Sequence, residues 1–397
     1  MNDATQCVLT PDVKTEGFDS LSIPTYRGST IVFADAEGYE TRGARGHTGF
    51  TYGLYGTPTH RALEQKLTAL EQGAWTFLLP SGQAANVFAV LPFLSAGDHI
   101  LIADTAYPPM RDFANQDLKG FGVAVDFYDP TSIDDLRRRL TPRTKIVWCE
   151  SPGSTTMEVQ DLPQIAEIAH RAGALVGCDN TWATPLNFKP LAHGADFVTE
   201  ALTKYVSGHS DLLMGSITVR DEAHITPIRS VLGRYGIGVS PDDVTLVLRG
   251  IETLGVRMAH SAQVTAALLP QLAASPLVRQ ILYPSLPDSP GYVLWKRDFL
   301  GVSGVFSLVF VPEAVPHIAR ALDSLRIFAI GASWGGTRSL IAPMPVKRHR
   351  TAQPWTGDDL ILRVSIGLEA IGDLQADLER FLNVLTAEIG VAVRVTA

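Results

Sequence analysis

Five short apolar runs, each closed by polar residues, constrain this chain more than any other feature: WTFLLPSG, HILIADTAY, KIVWCESPG, ALVGCDNT and DFVTEALTK. They are rich in Val, Ile, Leu and Phe with little alternation, as expected of strands covered on both faces, and helical stretches separate them. They predict an α/β fold with a mostly parallel sheet. Ligands in such sheets bind beyond the carboxyl ends of the strands. There the sequence places Ser81-Gly82, Asp104 to Tyr107, Glu150-Ser151, Asp179-Asn180 and Lys204. Five loops are expected to converge on one edge.

The rest of the chain divides around this block. Residues 1–58 are rich in Gly, Thr and Tyr, lack a sustained helical period, and read as an extended arm with turns. From Thr59, THRALEQKLTALEQG spaces Leu63, Leu67 and Leu70 for a helix, with Thr59 as the expected N-cap and Gly73 as the stop. A large α/β domain over 59–255 follows. The texture then shifts to RMAHSAQVTAALLPQLAA, GVSGVFSLVFV, ILRVSIGLE and a final helical stretch, a smaller α/β domain over 256–397. Of the 397 residues 46% are hydrophobic and 19% charged, enough for a large core. A formal net charge of -8 argues against a surface that tracks nucleic-acid phosphates. Cys7, Cys149 and Cys178 form no CxxC pair and no metal-ligand spacing, so reduced thiols are expected, the latter two in the core. No apolar run approaches the roughly 18 residues of a membrane span, and the first residues lack the pattern of a secretory leader. A soluble, cytoplasmic protein is the expectation.

Three features carry chemistry. In EALTKYVSGHSD, Lys204 stands in a nearly uncharged stretch of small and hydroxyl residues. Either it is a solvated loop lysine, or burial tunes it toward the free amine that a Schiff base requires. PSGQAANVFAVLPFL passes from a strand through Ser81-Gly82-Gln83 into an apolar helix, which is either an ordinary cap or an anion cradle. Asp179 ends a strand 25 positions before Lys204 and either caps the next turn or holds a cationic ring nitrogen. The three together suit pyridoxal phosphate, which needs a lysine, a pyridinium partner and a phosphate site. His209 and Asp211 take the structural reading. GRYGIG, Gly233 to Gly238, lacks the context of a dinucleotide fingerprint.

TYGLYGTPTH, LPSGQAA, DTAYPPMRDF, ESPGSTTMEV, DNTWATP, ALTKYVSGHSD, RGIETLGVRM, ASWGGTRSL and LRVSIGLE occur in this order from about Pro24 to Leu382. On these stretches the chain resembles the Cys/Met-metabolism group of fold-type I pyridoxal-phosphate enzymes, most closely its cystathionine β-lyase branch. The resemblance implies a PLP-dependent transferase fold with a large and a small domain and an N-terminal arm. Lys204 matches the Schiff-base lysine and proton shuttle, Asp179 the carboxylate on the pyridine nitrogen, and Tyr107 the ring stacked on the cofactor. Gly82 and Gln83 match backbone donors to the phosphate, with Thr203 as a hydroxyl donor. Arg363 matches the group that grips the substrate α-carboxylate, and Ser333, beside Trp334, is a further contact for that carboxylate. Tyr52 matches a residue reaching the phosphate of the neighbouring subunit, which implies a homotetramer of two dimers with shared sites.

Trp334, Ser154 and Ala201 occupy positions that differ between branches, and all three resemble the β-acting one. The implied reaction is α,β-elimination of L-cystathionine to homocysteine, pyruvate and ammonia, a step toward methionine. The alternatives are a γ-acting relative (cystathionine γ-lyase, γ-synthase or methionine γ-lyase), a specialised cysteine-S-conjugate β-lyase, and a non-catalytic protein reusing the fold. One position departs from the pattern. Leu54 stands where the family usually has a phosphate-binding Arg, so weaker cofactor affinity is expected, with Arg27 as a candidate replacement.

Overall fold

The computed structural model describes residues 16–17, 20–357 and 360–396. Cys7 lies outside the described residues. All five apolar runs are strands of one seven-stranded sheet: β1 (Trp75–Leu79), β2 (His99–Ala103), β4 (Thr144–Glu150), β5 (Leu175–Asp179) and β6 (Phe197–Glu200). Two strands went unpredicted, β3 (Ala124–Tyr128) and β7 (Gly215–Val219). The order is β1-β7-β6-β5-β4-β2-β3, and β7 runs antiparallel to both its neighbours while the other pairs are parallel. β1, β2 and β7 are buried at every residue, which is why their sequences do not alternate. Cys149 and Cys178 are fully buried free thiols within this core.

A second sheet contains β8 (Val278–Leu282), β9 (Val305–Phe310), β10 (Ala329–Ile330), β11 (Leu340–Pro345) and β12 (Leu360–Ser365), in the order β10-β11-β12-β9-β8. The two sheets share polar and apolar contacts. Trp182 Nε1 donates to the Val305 carbonyl at 3.0 Å, Gly304 N donates to the Tyr205 hydroxyl at 2.9 Å, and one buried apolar cluster includes Val147, Val198, Val305 and Phe381. The second sheet therefore stands fixed against the edge where the first sheet's loops emerge.

The helix after the arm, α1 (Pro58–Glu71), starts earlier than expected. Its cap is Thr57, whose N donates to His60 Nδ1 at 3.1 Å. Thr59 instead pins the arm, donating to the Pro24 carbonyl and accepting from Tyr26 N. The helix stops at Gln72, which takes φ +59, so Gly73 is not the left-handed residue. Gly73 serves packing, since a Cβ there would lie 2.5 Å from Thr218 Cγ2. The arm also contains a short helix, Ala36–Glu40, capped by Asp35. GRYGIG is the end of a helix, with Gly236 as its left-handed C-cap, and no phosphate loop.

Candidate active site

The loops following β1, β2, β4, β5 and β6 enclose a cavity of about 200 Å³, closed from the other side by Ala332, Trp334 and Arg363. Gly82, Gln83, Tyr107, Asp179, Thr203 and Lys204 line it as well. Ser333 joins through a hydrogen bond. Tyr52 does not: it is half exposed and lies outside the cavity.

Ser81 caps α2 (Gly82–Val90), accepting from Ala84 N at 3.1 Å, so the first turn points its remaining N–H groups toward the cavity end. Only glycine fits at 82, where a Cβ would lie 2.4 Å from Ala201 Cβ. Gln83 donates to the Pro109 carbonyl at 3.0 Å, and its Oε1 is buried with no partner among the described residues. The Thr203 hydroxyl donates to the Met214 carbonyl and accepts from Met214 N. Tyr107 caps α3 (Pro108–Phe113), and its N donates to Glu150 Oε2 at 2.5 Å.

Lys204 Nζ donates to Ser333 Oγ at 2.8 Å and lies 5.3 Å from the centre of the Trp334 ring. Burial, reinforced by the nearby Arg363 and opposed by Asp179, lowers the lysine to about 8. The free amine is therefore far more populated near neutrality than in a solvated lysine. The Asp179 carboxylate accepts from Thr181 N at 3.0 Å, Thr181 Oγ1 at 2.6 Å and Asn86 Nδ2 at 3.1 Å. Burial nevertheless raises its pKa above the usual carboxylate range. Arg363, on β12, donates to the Ala332 carbonyl, and burial lowers it to about 10.

The sequence missed three contributors. Asn86 bridges Asp179 and Thr199, accepting from Thr199 Oγ1 at 2.6 Å. Its signal was one amide inside the apolar run GQAANVFAV. Thr181 orients Asp179, as its Asx-turn spacing allows. Glu150 had been read only as part of a strand-end loop, yet its carboxyl lines the cavity and burial raises it well above the carboxylate range. Arg27 supplies no cation here, because its guanidinium is paired with Asp242 on the surface. Leu54 lies against Gly238, away from the cavity. His209 makes a local bond to the Ser207 carbonyl at 2.6 Å.

These residues fit pyridoxal phosphate. A half-buried amine of lowered basicity and a half-buried carboxylate line one cavity, and a helix start with no room for a side chain lies at its end. Residues 4–383 match the family described as Cys/Met metabolism PLP-dependent enzyme. The chain belongs to this family. Pyridoxal phosphate is its cofactor. A Rhizobium johnstonii protein provisionally named a cystathionine β-lyase is 42% identical over 90% of each chain. A cystathionine β-lyase of Bordetella avium is 37% identical over 92% of this chain and 93% of its own. Among solved structures, a Lactobacillus plantarum cystathionine γ-lyase complexed with L-serine aligns with a TM-score of 0.83 at 29% identity, covering 92% of this chain and 94% of that one. The fold-type I architecture thus extends over almost the whole chain.

Proposed function

We propose that this enzyme is a carbon–sulfur lyase that splits L-cystathionine by α,β-elimination into homocysteine, pyruvate and ammonia. The observation that carries the reading is Trp334, whose ring lies 5.3 Å from Lys204 Nζ, directly over the reacting amine. A broad aromatic wall beside the base would narrow the space beyond a substrate's Cβ, which would suit departure of a thiol from Cβ better than chemistry one carbon further out. The names of the relatives at 42% and 37% identity support the same branch.

Bound in the cavity, pyridoxal phosphate supplies an electron sink for charge developing at the substrate Cα. The protein's share follows from its residues. Lys204, released from its bond to Ser333, takes the proton from Cα. With the cofactor bound, Asp179 would keep a proton on the ring nitrogen, Tyr107 would pack against the ring, and the first turn of α2, with Thr203, would hold the phosphate. Arg363 binds the α-carboxylate through its planar fork, with Ser333 as a second donor once Lys204 has moved. Tyr52 is assigned to the phosphate of a neighbouring subunit, in a homotetramer built from two dimers. Cofactor affinity is assigned as weaker than usual because Leu54 brings no charge. Among the described residues no helix is long and apolar enough to cross a membrane.

The test is to incubate the purified protein with pyridoxal phosphate and L-cystathionine and identify the keto acid and thiol released. Pyruvate with homocysteine supports the proposal. 2-Oxobutyrate with cysteine moves the enzyme to the γ-acting branch, and absence of product directs the search to other cysteine S-conjugates.

A further inference from the structure

Behind the strand leading to Lys204 lie two acids that the cavity does not use. Glu71 ends α1 and Glu200 ends β6, and they are 2% and 3% exposed. Their carboxyl groups lie within side-chain hydrogen-bond contact of each other. Glu71 Oε2 and both oxygens of Glu200 find no donor among the described residues. The remaining oxygen, Glu71 Oε1, has only a long 3.4 Å bond from Asn180 Nδ2. Lys189 is the cation facing the pair, but its ammonium is directed to the Leu70 carbonyl. The other ionisable groups facing the pair are Asp179, itself an acid, and the Cys178 thiol, both on β5.

Two ionised carboxylates in contact, out of water and without donors, repel each other and each bears a desolvation cost. A single proton converts that repulsion into an O–H···O⁻ bond, among the stronger hydrogen bonds proteins make. We propose that Glu71 and Glu200 share one proton at neutral pH, and that the resulting hydrogen bond is a positioning element for the turn carrying Lys204. The contact joins the end of α1 to the end of β6. Next in the chain after Glu200 comes Ala201, which meets Gly82 so closely that a Cβ on the glycine would lie 2.4 Å away. On the other side, Asn180 adjoins Asp179, and its N and Nδ2 donate to the carbonyls of Thr199 and Phe188 at 2.9 and 3.0 Å. One bond thus fixes the floor beneath both the lysine and the aspartate. Burial raises both acids, consistent with a retained proton. The positioning role rests on the reading of Lys204 and Asp179 as the cofactor-holding pair; the shared proton does not.

The test is infrared difference spectroscopy of the cofactor-loaded full chain at neutral pH, wild type against Glu71→Gln, Glu200→Gln and the double variant. Glutamine keeps shape and hydrogen bonding, so each single variant is expected to fold. Whichever form the remaining acid takes in a single variant, the wild type should carry one protonated-carboxyl band and one carboxylate band from the pair. The double variant should lose one of each. Loss of two carboxylate bands in the double variant would show two ionised acids, and loss of two protonated bands would show a neutral pair; either overturns the proposal. The positioning role is read from cofactor retention on gel filtration, which Glu200→Gln should preserve and Glu200→Leu should reduce at least tenfold. Equal retention by Gln and Leu would reduce the role to filling space. The infrared result stands whether or not Lys204 proves to hold the cofactor.

Discussion

Asp104 and Asp179 follow or end strands of the same sheet, the first buried and the second half-buried, and they are treated differently by their surroundings. Asp104 is saturated. It accepts from the backbone N–H groups of Thr351, Ala352 and Gln353, from Thr351 Oγ1, and from Arg111 at 2.9 Å, with Arg350 Nε at 3.5 Å. Asp179 has three neutral donors from two residues, and its pKa stays raised. A saturated acid locks the 350–353 segment to the end of β2. An under-satisfied one, facing a cavity that also contains a lysine of lowered basicity, is free to interact with a ligand.

Five substitutions sharpen or break this contrast. The largest effect is expected for Lys204→Ala, which should lower kcat by roughly 10⁴-fold or more while circular dichroism shows an intact fold; substantial remaining lyase activity would refute the lysine as the base. Next comes Asp104→Ala, which leaves Arg111 and three backbone donors without their acceptor and should cost about 3–5 kcal/mol in denaturant unfolding. Asp179→Asn should cost under about 1 kcal/mol in the cofactor-free protein. An acid with raised folded pKa stabilises below its unfolded pKa and loses that contribution as pH rises through the folded value. The asparagine variant should therefore gain on wild type toward alkaline pH, and equal losses at 104 and 179 would erase the distinction.

Lys204→Met tests the lysine by linkage. Its folded pKa of about 8 lies below the unfolded value, so below pH 8 the ammonium costs stability, and the cost fades as pH rises toward the unfolded pKa. The cofactor-free variant should exceed wild type by up to about 3 kcal/mol at pH 7, with no advantage above roughly pH 10. A gain independent of pH would contradict the tuned amine. A small effect on catalysis is expected for Ser333→Ala, which removes the 2.8 Å bond to Lys204 and should change kcat/KM by about fivefold, equivalent to about 1 kcal/mol.

What was legible in the sequence was what depends on local pattern. β1, β2, β4, β5 and β6 are continuous apolar runs because both faces are covered. β3 was not, because it lies at the sheet edge with Asp126 exposed in its middle, and β7 begins with Gly215 and Ser216. Lys204, Asp179 and the start of α2 stood out because each interrupts an apolar pattern at a strand end. Arg27 was misjudged because its partner, Asp242, lies 215 positions away. A separation of 129 positions likewise hid Glu71 and Glu200, whose meeting depends on how α1 packs beside β6. Within the arm, a five-residue helix is too short to express a period.

The central claim is that the cavity between Lys204, Asp179 and the start of α2 is where pyridoxal phosphate is held. The most direct measurement is borohydride reduction of the cofactor-loaded protein followed by peptide mass spectrometry. The account predicts a stoichiometric pyridoxyl label on the peptide containing Lys204. A label on Lys189 or another lysine, or none at saturating cofactor, would contradict it.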